Sequence, residues 1–577
     1  MSFHTKRSAL LGAGVVLAAL VAAGCGSSGG ATSGAGKAAS SAGGLSFVPK
    51  TAVAYVTLDT DFSDSNWDRA RKLGSKFPQY AAQRDKLMAQ LNKGGTNQLK
   101  YDSDVKPWLG KDAGLAITVD GNASPKPHVV AWVASTDEGK TEAALTKGGL
   151  KPDAEYQGHK VWKSTKDKSY YTVADKYLVV ADSEAMLHTA VDTKKSGHSI
   201  TGDKTAIDAA KHVDSGSVVA FVMGREGLKS ALKAAENSNS SSSAGASTAS
   251  LKSALKQVNL NDFNGLAMGV SPKDHGVAVD GWVGNGGSLK LPDDATPSLL
   301  TGLPGDTAFA VTAQDLGGGI EALLKAATKS DPSMAAKLTQ GEAALGLDNG
   351  ALGKAFGGKF SLSASGTTPS VAVVFQNQGS KTKDTLDKLM NVGALAGAAP
   401  TNLTVKGGTG KQLKLGAMTI AEGSLSDVSI VTNTPAFINS WGSGSTLGGS
   451  AAYKRVIGEA GLPDKVGLFV YIDPQATAAL GSSSLGSALT SKLGSAAAGA
   501  AGSINAGGST PPSDGSMGAD GSGPMGAMGG SSSATAMAAA KTQASEALKY
   551  LGPILMWSRM DSSNLELHAF AEIHDAK

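Results

Sequence analysis

The chain has 577 residues, of which 41% are hydrophobic, and its 53 lysines and arginines nearly balance 49 aspartates and glutamates. This length and apolar content predict two or more domains with a sizeable core. Because the charge is nearly neutral, the composition gives no support to a nucleic-acid partner. No motif indicates a cofactor.

Residues 1–24 have the layout of a signal peptide. Lys6 and Arg7 precede an uncharged, mostly apolar stretch from Ala9 to Ala23, which is typical of an export signal. That stretch is shorter than the roughly 20 residues needed to cross a bilayer. The sequence therefore predicts a cleaved leader rather than a permanent membrane span.

The only cysteine, Cys25, follows this leader directly. Residues 22–25 resemble the lipobox of bacterial lipoproteins, in which the cysteine thiol is acylated, although Ala22 replaces the usual leucine. We therefore expect Cys25 to carry fatty acyl chains such as palmitate, because two or more chains hold a protein durably at a membrane. The predicted location is the extracytoplasmic face of the cell membrane. Without a second cysteine the exported part can form no internal disulfide.

Low-complexity stretches separate the parts of the chain that can fold. Residues 25–44 are almost entirely Gly, Ser, Ala and Thr, which predicts a flexible tether. Residues 237–248 and a longer stretch of Gly, Ser, Ala and Met are predicted to be disordered insertions. The second insertion spans residues 481–535.

The spacing of apolar residues predicts both helices and strands. Tyr80, Leu87, Met88 and Leu91 have helical spacing. Apolar and polar residues alternate from Leu565 to Ile573, which predicts a strand with one buried face. Because hairpins joined by short turns favour antiparallel pairing, the predicted fold class is α+β.

The chain also shows an internal duplication. The segment FVPKTAVAYVTLD (Phe47–Asp59) returns as GLPGDTAFAVTAQD (Gly302–Asp315), and four further similarities follow in the same order. They predict two homologous α+β repeats, residues 45–290 and 296–577, each an antiparallel sheet with packed helices. We expect these halves to pack about a pseudo-twofold axis, with their interface or the cleft between them as the default binding place.

Two motifs carry a family resemblance. The segment VPKTAVAYVTLD after a lipoprotein leader, the later ADKYLVVADSEAML and the tandem arrangement resemble exported proteins of high-GC Gram-positive bacteria that carry the domain of unknown function 3352. The resemblance covers most of residues 45–573. It implies a cell-envelope location and supplies no catalytic residues.

Three segments have candidate ligand-binding chemistry. Asp59, Asp61, Asp64 and Asp68 are oxygen ligands of the kind calcium prefers, but a strand end followed by a helix N-terminus explains them better. The lysines and aromatic residues of segment 158–171 suit an anionic polymer or headgroup, but they also match an exposed hairpin whose lysines protect a sheet edge.

The third segment is the last predicted strand. His568, Glu572 and His574 share one face of it and suggest a metal, but a solvated polar face is the better interpretation.

Two further patterns have no predicted chemistry. The Gly-x-Ser-x-Gly match at residues 26–30 lies inside the tether, and the sequence GGTGK at residues 407–411 is typical of a glycine turn between hairpin strands.

These observations favour a lipid-anchored, non-enzymatic envelope protein that binds or scaffolds an envelope protein, glycan or lipid. One alternative is a carrier of a lipid or another hydrophobic ligand, which requires an apolar cavity of several hundred cubic ångströms. The other alternative is an envelope hydrolase, which requires clustered, pKa-shifted carboxylates or a Ser/His pair in a cleft.

Overall fold

The computed structural model describes most of the chain beyond the predicted leader and tether. The described residues are 43–92, 99–119, 127–164, 168–237, 260–284, 298–315, 355–366, 369–377, 380–395, 398–416, 418–480 and 548–575, with positions 340, 343 and 546. The leader, Cys25, the glycine-serine motif at 26–30, and the segments 238–248 and 481–535 lie outside them. Described structure begins with a short 3-10 helix, Gly43–Phe47.

Twenty strands lie in the described part of the chain, and all belong to one sheet. In chain order they are β1 (Ala54–Asp59), β2 (Leu109–Val119), β3 (Pro127–Ser135), β4 (Lys151–Tyr156), β5 (His159–Lys163), β6 (Tyr170–Ala174), β7 (Tyr177–Ala181), β8 (Val219–Met223), β9 (Gly265–Lys273), β10 (Gly276–Gly284), β11 (Thr307–Gln314), β12 (Lys359–Ser365), β13 (Ser370–Gln376), β14 (Thr401–Leu403), β15 (Thr409–Leu415), β16 (Met418–Ser424), β17 (Val428–Thr432), β18 (Leu468–Ile472), β19 (Leu551–Asp561) and β20 (Asn564–Ile573).

Every pairing between these strands is antiparallel, which confirms the predicted pairing mode. From one edge to the other, the order is β4, β5, β6, β7, β3, β2, β1, β8, β9, β10, β20, β19, β18, β11, β12, β13, β17, β16, β15 and β14. Strands β10 and β20 therefore lie at the centre of the sheet.

The predicted fold class of two homologous halves, each with its own antiparallel sheet, is wrong. Strand β10 of segment 45–290 pairs with β20 of segment 296–577 along their length, from Gly276 opposite Glu572 to Gly284 opposite Asn564. An unpaired edge strand exposes a row of backbone N–H and C=O groups. Pairing β10 with β20 satisfies both rows, so the two segments form one continuous sheet.

Helices connect the strands and cover parts of the sheet. The described helices are α1 (Ser65–Ser75), α2 (Gln79–Asn92), α3 (Glu138–Lys147), α4 (Glu184–Ser196), α5 (Lys204–Ala210), α6 (Arg225–Asn237), α7 (Ser298–Thr301), α8 (Ser380–Leu395), α9 (Pro435–Ser440), α10 (Ala451–Glu459) and α11 (Pro474–Ala479). Short 3-10 turns also occur at Ile200–Gly202 and Leu447–Gly449, and a π-helical turn at Tyr101–Val105.

Side-chain oxygens at the residues before several helices explain where these helices begin. Asp64, Asp137 and Ser183 accept hydrogen bonds from backbone N–H groups in the first turns of α1, α3 and α4, respectively. Each of these N–H groups has no partner inside its own helix. An N-cap of this type stabilises a helix by about 1 kcal/mol.

One face of the sheet, here called the helical face, packs against most of the helices. It carries Tyr55, Trp132, Tyr471 and Phe570, all of which are buried. On the side of β1, these residues pack with Leu187 and other residues of α4 and α5. On the side of β19, they pack with residues of α9 and α10. Full burial of each large apolar side chain contributes roughly 1.5–3 kcal/mol.

The opposite face, here called the open face, is covered mainly towards its two ends. Leu145 of α3 packs with Leu58 and Leu178 at one end. Leu386 of α8 packs with Phe375 at the other. The centre of the open face, on strands β8 to β10 and β18 to β20, carries large side chains that remain exposed.

Candidate functional site

An unbroken row of apolar side chains crosses the open face. Because successive side chains of a strand alternate between faces, the strand register places one residue from each of nine neighbouring strands in this row. They are Val219, Val270, Val279, Ala569, Met556, Val470, Val311, Leu362 and Val373.

The next row on the open face contains three apolar side chains that are more exposed than any in the first row. Met268 and Leu567 are each 44% exposed, and Leu468 is 40% exposed. Gly281 lies directly between Met268 and Leu567 in the register. A single exposed leucine is ordinary, but a contiguous exposed apolar patch marks a binding surface.

Only the central part of these two rows, which includes Met268, Val279 and Val470, forms the floor of a groove with a volume of about 390 Å³. This apolar groove lies across the β10–β20 pair, and its size is within the range of small-molecule sites. Its apolar side chains include Leu266, Met268, Val279, Val283, Leu468, Val470, Met556, Leu567 and Ala569. Such a lining suits a hydrocarbon chain and offers very little to a charged ligand.

Methionines lie in and beside the groove. Met268 and Met556 line it, while Met223 and Met560 are opposite Leu266 and Leu565 on the same face. Methionine side chains are flexible and polarizable, so they adapt to partners of different shape. This groove can therefore accommodate apolar molecules that differ in length or branching.

The four aspartates considered as calcium ligands have other roles. Burial raises the pKa of Asp59 to about 7, even though Asp61 donates a backbone hydrogen bond to it. Asp61 forms an ion pair with Lys111 at 2.7 Å, and Asp64 accepts a hydrogen bond from the Asn66 backbone N–H as the N-cap of α1. The interpretation as a strand end followed by a helix cap is confirmed.

Asp68, the fourth of these aspartates, pairs with Arg71 on the same helix. Among the described residues, no group of three or more His, Cys, Asp or Glu side chains is arranged to hold a metal ion.

Segment 158–171 forms strands β5 and β6 near one edge of the sheet. Trp162 is buried in the core and packs near Leu145, so it does not belong to an exposed binding surface. Lys163 lies 5.2 Å from the centre of the Tyr170 ring. The outermost strand is β4, whose exposed side chains include Lys151 and Glu155, so the edge of the sheet lies outside segment 158–171.

The interpretation of His568 and Glu572 as part of a solvated polar face is wrong. Both residues are buried on the helical face, because α10 packs over strand β20. Arg455 of α10 donates to Glu572 at 2.5 Å, and His568 hydrogen bonds to Asp280. His574 lies beyond the strand end and contacts Gln475.

The GGTGK segment is a turn, as predicted. Gly407 has a φ of 77° and lies between β14 and β15. This positive φ is accessible to glycine without steric cost. The segment therefore closes a hairpin.

Sequence reasoning missed the apolar groove. Strands β8 (VAFVM) and β18 (LFVYI) are apolar on both faces, a pattern that normally predicts a strand buried on both sides. Together with Met268 and Leu567 at alternate positions of β9 and β20, this pattern was the available indication. Only the register shows that these strands are neighbours.

The fold and the groove define a class of protein in which one long antiparallel sheet, with helices on both faces, has an apolar groove at its centre. None of the described helices is long and apolar enough to cross a membrane. The chain belongs to the family described as "Protein of unknown function (DUF3352)", whose model matches residues 10–500. This match confirms the predicted domain of unknown function.

Comparisons with other proteins add little. No curated protein matches the chain. Among solved structures, crystal forms III and I of TP0453 each cover 43% of this chain and 81% of their own, with a TM-score of 0.21 and identities of 10% and 11%. Crystal form IV of TP0453 covers 41% of this chain and 79% of its own, with 8% identity and a TM-score of 0.20.

Proposed function

We propose that the protein binds the acyl chain of a lipid in the apolar groove, and that it does so at a membrane surface to which Cys25 anchors it. The observation that carries this proposal is the exposure of Met268, Leu468 and Leu567 along a groove with an almost wholly apolar lining.

Size and lining both favour an acyl chain as the occupant. The groove has a volume of about 390 Å³, which suits a small molecule. A protein partner in a stable complex needs about 800 Å² of surface on each side and a polar rim with several hydrogen bonds. Because the groove is open, the polar end of a bound lipid stays in water. The acyl chain of the lipid displaces water from the exposed apolar side chains of the groove.

A displacement experiment tests the groove. The purified protein is titrated with the fluorescent fatty acid cis-parinaric acid, and palmitic acid is then added as competitor. We expect binding that palmitic acid reverses. We also expect Leu567→Glu or Met268→Glu to weaken it at least tenfold, because a carboxylate in an apolar site costs more than 1.4 kcal/mol.

Met418→Glu is the matched control. Met418 is 53% exposed on β16, far from the groove in the strand order, so this variant adds the same charge elsewhere and should bind as the wild type does. Equal binding by all four proteins, or no binding by the wild type, would refute the proposed function.

The anchor has its own test. Mass spectrometry of the N-terminus of protein expressed in its native host should show Cys25 modified by acyl chains, and globomycin should prevent cleavage of the leader. An unmodified Cys25 in untreated cells contradicts membrane anchoring but leaves the groove proposal intact.

A further inference from the structure

A second, polar pocket lies behind the apolar groove, on the helical face of the same strand pair. Its volume is about 360 Å³. Strands β10, β20 and β19 form its floor, and the ends of α5 and α10 form its walls. Its lining includes His212, Asp214, Trp282, Glu459, Trp557 and His568.

His568 is the central side chain of this polar pocket. Its side chain is only 8% exposed, Nδ1 lies 2.5 Å from Asp280 Oδ1, and the ring stacks on Trp557 with centroids 5.1 Å apart. Because a carboxylate can only accept a hydrogen bond, Nδ1 carries the proton and Nε2 of the neutral ring is an acceptor. Among the described residues, Nε2 has no hydrogen-bond partner although it is buried.

A buried acceptor without a partner is unfavourable, because it has lost its hydrogen bond to water and gained none in the protein. A ligand hydroxyl that donates to Nε2 removes this cost. The pocket therefore favours a ligand that carries an O–H or N–H donor at this position.

Each acidic side chain of the pocket already has a partner within the protein. Asp214 and Glu566 form ion pairs with Lys273 and Arg559, while Asp280 and Glu459 hydrogen bond to His568 and His275. Burial would raise the pKa of Asp214, but the hydrogen bonds from Lys273, the Gly216 backbone N–H and Ser271, together with the charge of Lys273, lower that pKa. Because Lys273, the lysine of the lining, is already paired with Asp214, the pocket offers no free ammonium group to an anionic ligand.

These paired carboxylates still have free lone pairs. A carboxylate has about four acceptor sites, and Asp280 and Glu566 use only part of theirs. Two flat rings also border the pocket, Trp557 and Trp282, and Trp282 stacks on His212 with centroids 4.2 Å apart. A ligand with several hydroxyl donors and an apolar C–H surface can therefore donate to the carboxylates and pack against the tryptophan rings at the same time.

We propose that this polar pocket binds a neutral saccharide, with His568 Nε2 and the carboxylates of Asp280 and Glu566 accepting hydrogen bonds from its hydroxyl groups. The polar pocket shares Gly281, Trp282, Trp557, Leu567 and His568 with the lining of the apolar groove. The proposed hydrogen-bond acceptors nevertheless lie on the opposite face of the sheet from Met268 and Leu567.

Saturation-transfer NMR tests the proposal. The full protein is mixed in turn with glucose, mannose, N-acetylglucosamine or cellobiose. Choline and inorganic phosphate serve as charged probes, and changes in their chemical shifts or line widths report whether they bind. We expect saturation transfer to at least one saccharide and no response from either charged probe. His568→Phe keeps an aromatic ring against Trp557 but removes Nε2, and it should weaken saccharide binding at least tenfold.

Two variants keep this test decisive. Asp280→Asn retains an oxygen that can accept from Nδ1 and should weaken binding several-fold, even if His568→Phe fails to fold. His188→Phe is the matched control, because His188 stacks on Tyr156 in another part of the sheet, and it should bind normally. The proposal would be overturned if none of the four saccharides showed saturation transfer, or if choline or phosphate bound in preference to them. It would also be overturned if Asp280→Asn bound saccharide as well as the wild type does.

Discussion

At the scale of single residues, Asp59 gives the protein a predictable response to pH. Burial raises the pKa of this carboxyl to about 7 in the folded chain, whereas an unfolded aspartate has a pKa near 3.9. Between these values the folded state holds a proton that the unfolded state has lost. Stability therefore falls as pH rises from about 4 to about 7, by roughly 4 kcal/mol for three pKa units.

We expect Asp59→Asn to flatten this dependence, since the amide has no proton to lose. Urea unfolding at pH 5, 6, 7 and 8 measures it. Asp137→Asn is the control, because the hydrogen bond from the Lys140 backbone lowers the pKa of exposed Asp137. Asp137 stays ionised above pH 5, so this variant should shift all four values equally. A wild-type stability that rises from pH 5 to pH 7 would contradict the assignment.

Gly114 is a second residue with a specific expectation. A Cβ atom at this position would lie 2.2 Å from Trp132 Cζ2 and 2.5 Å from the Val56 carbonyl oxygen, and Trp132 is fully buried. We expect Gly114→Ala to lower the free energy of unfolding by about 2 kcal/mol, as overpacking of a core does. Guanidinium unfolding measures this change.

Gly281→Ala provides the comparison, because its Cβ would meet nothing closer than 3.4 Å. Both glycines are inside strands of the same sheet. Gly281→Ala should leave stability within about 0.5 kcal/mol of the wild type. Equal losses for the two variants would show that strand propensity, rather than contact with Trp132, sets the cost.

The role of a single residue was predictable where its interaction partner is close to it in the sequence. Asp64 caps a helix that begins one residue later, so its role follows from local sequence. His568 was interpreted wrongly because its partner Asp280 and the covering helix α10 come from distant segments. A side chain's burial depends on what packs over it, which periodicity alone does not show.

At the scale of elements, the start of α1 depends on one side chain. The Asp64 carboxylate accepts from the Asn66 backbone N–H at 2.7 Å. We expect Asp64→Ala to lower the free energy of unfolding by about 1 kcal/mol and Asp64→Ser to restore most of it, because serine caps as well as aspartate. Urea unfolding at pH 7 separates the two. A serine variant as unstable as the alanine variant would assign the loss to the charge.

The type of some elements was also predictable. Helix α2 (Gln79–Asn92) and strand β20 (Asn564–Ile573) form where the helical spacing and the alternation predict them. The buried face of β20 is nevertheless the one with His568, Phe570 and Glu572 rather than the leucine face. Strands β8 and β18 were harder to interpret, since their apolar residues occur on both faces. Their sequence is the same whether the second face is covered by helices or forms a binding surface.

At the scale of the whole molecule, the sheet should be most stable at its centre. Strand β4 at one edge has exposed side chains, and β14 at the other edge has only three residues. Strands β10 and β20 each pair on both sides along most of their length. Amides with few buried contacts open with a small free energy.

Hydrogen exchange followed by mass spectrometry measures this gradient. We expect peptides from β9, β10 and β20 to exchange at least a hundredfold more slowly than peptides from β4 and β14, after correction for intrinsic rates. Uniform protection across the sheet would show that it opens only as a single unit.

The single sheet was not predictable from the sequence. Each repeat was expected to form its own sheet, but the pairing of Gly276–Gly284 with Asn564–Ile573 joins the corresponding hairpins of the two segments. Backbone hydrogen bonds between strands do not depend on which side chains the strands carry. Hydrophobic alternation therefore indicated strands but neither their neighbours nor, in β20, the buried face.

The central strand pair has a consequence for how the protein is made. Strand β10 leaves the ribosome long before β20, which lies nearly 300 residues further along the chain. Until those last residues arrive, β10 offers an open edge beside an uncovered apolar surface, a combination that promotes aggregation. An unfinished chain that ends before residue 564 therefore lacks the strand that covers this edge and should aggregate more readily than the full-length chain.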